Sequence, residues 1–78
     1  MIKSLVELAP QEKGCIIEVQ GGRGVIGRLE AKGIRSGKKI TKVSAQFLHG
    51  PVTVMVDGRQ LALGFGIAKR ILVELDKK

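Results

Sequence analysis

The sequence predicts a mainly β fold: a small barrel of about five short strands with one short inserted α-helix. Three observations lead there. Short runs rich in Val, Ile and Leu are cut by glycine or proline every few residues, which is the rhythm of strands joined by tight turns. Asp57-Gly58 falls between two such runs, the strongest local signal for a hairpin. Val25, Ile26 and Leu29 recur at helical spacing instead. Many short strands in so small a chain favour a closed or nearly closed barrel, because closure removes strand edges open to aggregation.

In chain order, residues 2–8 are apolar with polar interruptions and form a lead-in or a short edge. Pro10 to Gly14 is a turn. Cys15 to Val19 is β-branched and reads as the first strand, ended by Gly21-Gly22. The helix follows. Gly33 fits the left-handed position that stops a helix, with Leu29 and Ile34 as the apolar pair of a Schellman stop. Its start lacks a Ser, Thr, Asp or Asn cap. Ser36-Gly37-Lys38 is a turn and Ile40 to Ala45 a second strand. After Gly50-Pro51, Val52 to Val56 alternates cleanly, and Asp57-Gly58 turns it into Arg59 to Leu63. Gly64 to Arg70 holds one helical turn, Ile71 to Leu75 closes the fold, and Asp76 begins a frayed tail.

Length and composition bound the class. With 78 residues, a single domain over 1–78 is expected. A chain this small buries only somewhat more than roughly 60% of its unfolded surface. At 44% hydrophobic it still has enough Ile, Leu and Val for one core. One cysteine, Cys15, allows no internal disulfide and fits a reducing compartment. No apolar run approaches the roughly 18 residues of a membrane span. Glu7 interrupts the first apolar stretch before it can serve as a signal sequence. The expected location is cytoplasmic.

The net charge is +7, and residues 13–42 account for +6 of it, with eight Lys and Arg against Glu18 and Glu30. A concentrated positive field points to an anionic partner: nucleic acid, an acidic protein surface or an anionic leaflet. The plain alternative is a solvated surface. Single-strand nucleic-acid binders need aromatic platforms on which bases stack. This chain has no Trp or Tyr, and only Phe47 and Phe65.

Gly22-Arg23-Gly24-Val25-Ile26-Gly27 matches G-x-G-x-x-G literally, after a strand and at a helix start. No acidic residue follows about 20 positions on, where Ser44 to Phe47 stand. The glycines therefore read as turn and packing residues. Arg28-Leu29 stands where a phosphate-binding loop needs Lys-Ser/Thr. Cys15 and His49 are the weak metal candidates, and two ligands do not close a zinc site. Cys15 reads as a core filler and His49 as an exposed turn residue. With one His and no paired carboxylates, no catalytic constellation appears, and no enzyme is expected. Lys38, Lys39 and Lys42 each read as part of the solvated face and blunted edge of the second strand, or together with Arg23, Arg28, Lys32 and Arg35 as a binding patch. Gly22, Arg23, Arg28, Lys32 and Arg35 are the candidate partner-binding residues.

The order of features resembles the FeoA family, small cytosolic proteins associated with bacterial ferrous iron transport. Leu5, Leu8, Pro10, Glu12 and Gly14 carry the resemblance first, then Gly21-Gly22, Arg28-Leu29, Gly33-Ile34 and Gly37. Gly50-Pro51-Val52-Thr53-Val54, Gly58, Ala62-Leu63-Gly64, Ala68, Ile71 and Val73 continue it through the second half. Gln11 and Ser36 depart from it, standing where the family usually has Gly and Pro. The resemblance implies an SH3-like small β-barrel. It implies a partner, the cytosolic G-protein-like domain of the FeoB transporter, and so proximity to the membrane through that partner. It implies a regulatory role in iron transport, with no required cofactor and with transition-metal binding at the family level only. The alternative is a small basic barrel that binds nucleic acid or serves as an interaction module like that of metal-dependent repressors.

Overall fold

The computed structural model describes residues 1–44 and 48–76. Strands run over Ile2–Ser4 (β1), Lys13–Val19 (β2), Lys39–Ser44 (β3), Val52–Val56 (β4), Arg59–Leu63 (β5) and Ile71–Leu75 (β6). They form one antiparallel sheet in the order β1-β6-β2-β3-β4-β5. Helix α1, Arg23–Ala31, joins β2 to β3, and the four-residue helix α2, Phe65–Ala68, joins β5 to β6. The sheet curls around a core that includes Ile16, Ile34, Ile40, Val54 and Val73, all essentially buried. This is the mainly β architecture the sequence predicts and the SH3-like form the resemblance implies, with six strands rather than about five. Among the described residues, β1 and β5 are left as the two ends of the sheet rather than joined in closure.

The additional strand lies in the lead-in. Ile2, Lys3 and Ser4 pair with Glu74, Val73 and Leu72 of β6. The chain then turns through a 3₁₀ segment, Leu5–Glu7, whose Glu7 carboxylate accepts the Ser4 N–H at 2.8 Å. Leu5 and Leu8 drop into the core from either side of that turn.

Two bulges bend the sheet. Ile17 is extra between the Ile16–Val73 and Glu18–Leu72 pairs, and Val43 is extra between Lys42–Val54 and Ser44–Thr53. A bulge adds twist and leaves one residue unpaired in the ladder. Here a side chain takes up each bulge carbonyl. Ser36 Oγ donates to the Ile17 carbonyl at 3.1 Å, and Gln11 Nε2 donates to the Val43 carbonyl at 3.0 Å. Gln11 and Ser36 are the two positions that depart from the family pattern. Gln11 also holds φ +73°, the left-handed region that favours glycine, so a side-chain hydrogen bond accompanies a strained backbone there.

The helix stop has the expected geometry. Gly33 has φ +89°. Its N–H donates to the Glu30 carbonyl at 3.0 Å, and the Ile34 N–H donates to the Leu29 carbonyl at 2.9 Å. Those are the two bonds of a Schellman motif. Leu29 and Ile34 are both buried, which supplies its apolar pair. The predicted hairpin closes at Asp57-Gly58, with Val56 opposite Arg59.

Three side-chain readings change. Lys42 is buried, not solvated, because it alternates in register with Ile40 and faces Val54. Cys15 is half-buried rather than a core filler. Glycines Gly22, Gly24 and Gly27 do not pack closely, since a Cβ at any of them would meet nothing within 4 Å. Ala45 and Phe47 lie outside the described residues.

Candidate docking surface on helix α1

Helix α1 is amphipathic with its apolar stripe turned to the barrel: Leu29 is buried, Val25 and Ile26 half-buried. Arg28 and Lys32 lie four residues apart, so they stand one above the other on one flank of that stripe. With Val25 and Leu29 they line a groove of about 190 Å³ whose opposite wall is Ala62, Leu63, Gly64 and Ile67. No carboxylate lines it. The other flank differs. There Glu18, Val19, Ile26, Glu30, Ile34, Arg35 and Ser36 line a second depression of mixed charge.

The five predicted partner-binding residues are therefore split. Arg28 and Lys32 share the groove. Arg23 opens the helix, and Gly22 caps it through extended backbone (φ −78°, ψ 170°) with no side-chain cap bond. Arg35 lies beyond the helix stop, close enough to Asp57 for its charge to help hold that carboxyl down.

The lysines around β3 are spoken for. Lys38 Nζ contacts an Asp57 carboxylate oxygen at 2.8 Å, and Lys39 Nζ contacts Asp76 at 2.6 Å. The hydrogen bond from Lys38 holds the Asp57 carboxyl below its ordinary value, and the hydrogen bond to Asp76 raises the Lys39 ammonium. Buried Lys42 donates to the Leu8 carbonyl at 2.7 Å and the Val6 carbonyl at 3.1 Å, tying the 3₁₀ segment to β3. Burial pushes its ammonium below the ordinary value, and the Glu12 carboxylate opposes that shift. Strict alternation from Ile40 was the signal that would have placed Lys42 inward.

Arg28 and Lys32, in contrast, take part in no ion pair among the described residues. No group of three or more His, Cys, Asp and Glu that could hold a metal is found among the described residues. Cys15 and His49 belong to no such set. His49 instead stacks on Phe65, with ring centroids 4.4 Å apart. Among the described residues, no helix is long and apolar enough to cross a membrane.

A bulged, six-stranded antiparallel SH3-like barrel, with a helix carried between β2 and β3, is the class this fold defines. The FeoA domain model matches residues 3–75, and the chain belongs to the FeoA family. It is 33% identical over 63 residues to the Methanocaldococcus jannaschii protein named "Putative Fe(2+) transport protein A", covering 81% of this chain and 74% of that one. It superposes on the crystal structure of an iron uptake regulatory protein, FeoA, with a TM-score of 0.89 at 29% identity, covering 96% of this chain and 99% of that one. It also matches T. acidophilum IdeR, at 26% identity and TM-score 0.83, over 96% of this chain but only 34% of that one.

Proposed function

We propose that this chain is a non-enzymatic accessory module of ferrous iron transport. Its partner is the cytosolic G-protein-like domain of an FeoB-type transporter, which would keep it at the inner face of the membrane. Family membership supports the transport role. The observation that carries the docking role is the α1 groove, apolar in its floor and cationic at its rim, with Arg28 and Lys32 lacking any internal counter-ion among the described residues. Arg28 in the last turn of α1 and Lys32 at its C-cap each suit the negative end of the helix dipole, but as neighbouring like charges they repel one another. An acidic partner surface neutralises both.

The test is a calorimetric titration against the transporter's cytosolic domain in nucleotide-free, GDP and GTP-analogue forms. Reversal of Arg28 and Lys32 to Glu is expected to weaken binding about tenfold, since each exposed pair is worth about 0.2–1 kcal/mol and becomes a repulsion. Reversal of Arg23 and Arg35 is expected to cost less. Unchanged affinity after all four reversals overturns the docking surface.

A further inference from the structure

The groove has a second component, the outer edge of β5. Strand β5 ends the sheet order, so β4 is its sole hydrogen-bonded neighbour among the described residues. A two-residue turn at Asp57-Gly58 makes Val56 and Arg59 a hydrogen-bonded pair. Alternation then directs the backbone groups of Arg59, Leu61 and Leu63 to β4 and those of Gln60 and Ala62 outward. Both outward residues are exposed, and Ala62 is itself a wall of the groove. An open row of N–H and C=O groups is a template for one more strand.

We infer that this edge accepts an extended, acidic segment of a partner protein as a seventh strand, with an aliphatic side chain in the groove and carboxylates on Arg28 and Lys32. Strand addition takes its affinity from main-chain bonds and its specificity from pockets for alternate side chains. The edge supplies the first and the groove the second. The groove's volume of about 190 Å³ leaves room for an aliphatic side chain. The cationic rim selects the charge of the occupant. A second copy of this chain is disfavoured, because it would bring its own Arg59 and a like net charge of +7 to the same edge. Base stacking is disfavoured, because no aromatic side chain lines the groove. The inference gives a mode of contact to the docking reading above and rests on it only for the identity of the partner.

The experiment uses the full chain and a capped heptapeptide that alternates Leu or Val with Glu. Amide NMR is expected to shift the Gln60 and Ala62 signals and slow their hydrogen exchange as peptide is added. Methylating the peptide backbone nitrogens that face β5 is expected to weaken binding at least tenfold, as is the pair Arg28→Glu and Lys32→Glu. Ala62→Pro removes an outward N–H, at a position where an edge strand tolerates proline, and also enlarges the groove wall at that point. It is expected to abolish binding with an unchanged unfolding midpoint, and the methylated peptide makes the same test on the unaltered chain. Undiminished binding of the methylated peptide overturns the proposal. So do shifts confined to other residues, self-association through the same amides without peptide, or tighter binding of an oligonucleotide there. If the transporter domain binds without moving these amides, the edge mode fails and the partner stands. If the peptide binds and the transporter domain does not compete, the partner fails and the edge mode stands.

Discussion

Among the described glycines, Gly14 is the one whose change to alanine this fold tolerates least. Gly14 is buried in β2, opposite Ile40 of β3 and Leu75 of β6. A Cβ there would collide with the Glu74 carbonyl oxygen and lie 2.8 Å from both the Glu74 carbonyl carbon and Val73 Cγ1. Two of the three obstacles are backbone held in a ladder, so relief requires moving β6 away from β2 and disturbing its bonds to both neighbours. Overpacking with a side chain as the obstacle costs about 1–3 kcal/mol. Backbone obstruction belongs at or above the top of that range, about 3 kcal/mol or more. A domain of this length has only about 4–12 kcal/mol in total, and each kcal/mol moves the midpoint by about 4–8 °C. The expected fall is at least about 12 °C. The paired control is Gly27→Ala, where the Cβ meets nothing within 4 Å and alanine in a helix interior is favoured by about 0.8–1 kcal/mol. It is expected to raise the midpoint by several degrees. Thermal and urea unfolding of both variants measures the pair. A Gly14→Ala loss below about 1 kcal/mol would refute the close β2–β6 approach.

Other substitutions probe the charges and bulges. Asp57→Asn keeps a residue that tolerates the left-handed backbone (φ +52°) while removing the charge. The folded Asp57 value is depressed by Lys38 below the ordinary 3.8. Its contribution is thus present above pH 3.8 and lost as pH falls through the lower folded value. The wild-type advantage over the variant should shrink in that acid window, as midpoints measured from pH 5 to 2 would show. Lys42 works in the opposite range. Burial lowers its folded value below 10.5, so the unfolded chain binds more protons between the two values and stability rises with pH there. Lys42→Met should remove that rise, read by urea unfolding between pH 8 and 10.5. Gln11→Ala and Ser36→Ala each remove a hydrogen bond to a bulge carbonyl and should cost about 0.5–1.5 kcal/mol, in an additive way because the bulges are separate. Strong non-additivity in the double variant would show that the two bulges act as one unit.

What was legible follows the range of the interaction. The hairpin at Asp57-Gly58 and the stop at Gly33 depend on residues within a few positions, and both are found as read. The helix face that joins Arg28 to Lys32 is likewise a matter of 3.6-residue spacing, and Arg35, seven positions from Arg28, leaves that face because the helix stops at Gly33. Residues 2–8 read as a lead-in or a short edge, and Ile2–Ser4 is that edge; which strand it joins was not legible, because its partners Leu72, Val73 and Glu74 lie at the other end of the chain. The same distance hides the neutralisation of Lys38 by Asp57 and of Lys39 by Asp76, 19 and 37 positions away. Gly14 looks like an ordinary turn glycine after Pro10, and only the approach of β6 shows why it has no side chain. Lys42 is a different kind of miss. Its alternation with Ile40 was present locally, and the general rarity of buried lysine outweighed it.

These corrections move the positive charge more than they reduce it. A net charge of +7 concentrated in residues 13–42 suggests a broad basic face. Folding takes Lys42 into the core and sets Lys38 and Lys39 against carboxylates, while Arg35 comes under the influence of Asp57. A broad basic face would favour phosphate tracks, which need many cations along a groove. Two cations flanking an apolar groove and a bare strand edge favour a short acidic peptide instead. The glycine-rich entry to α1 bears on this choice as well. Gly24 and Gly27 contact nothing that would demand glycine, and mid-helix glycine weakens a helix. The helix is thus held to the barrel mainly by Leu29 with half-buried Val25 and Ile26, and of these Leu29 and Val25 also wall the groove. A ligand seated there would clamp α1 to β5, so slower hydrogen exchange along α1 on peptide binding is a direct consequence of the packing.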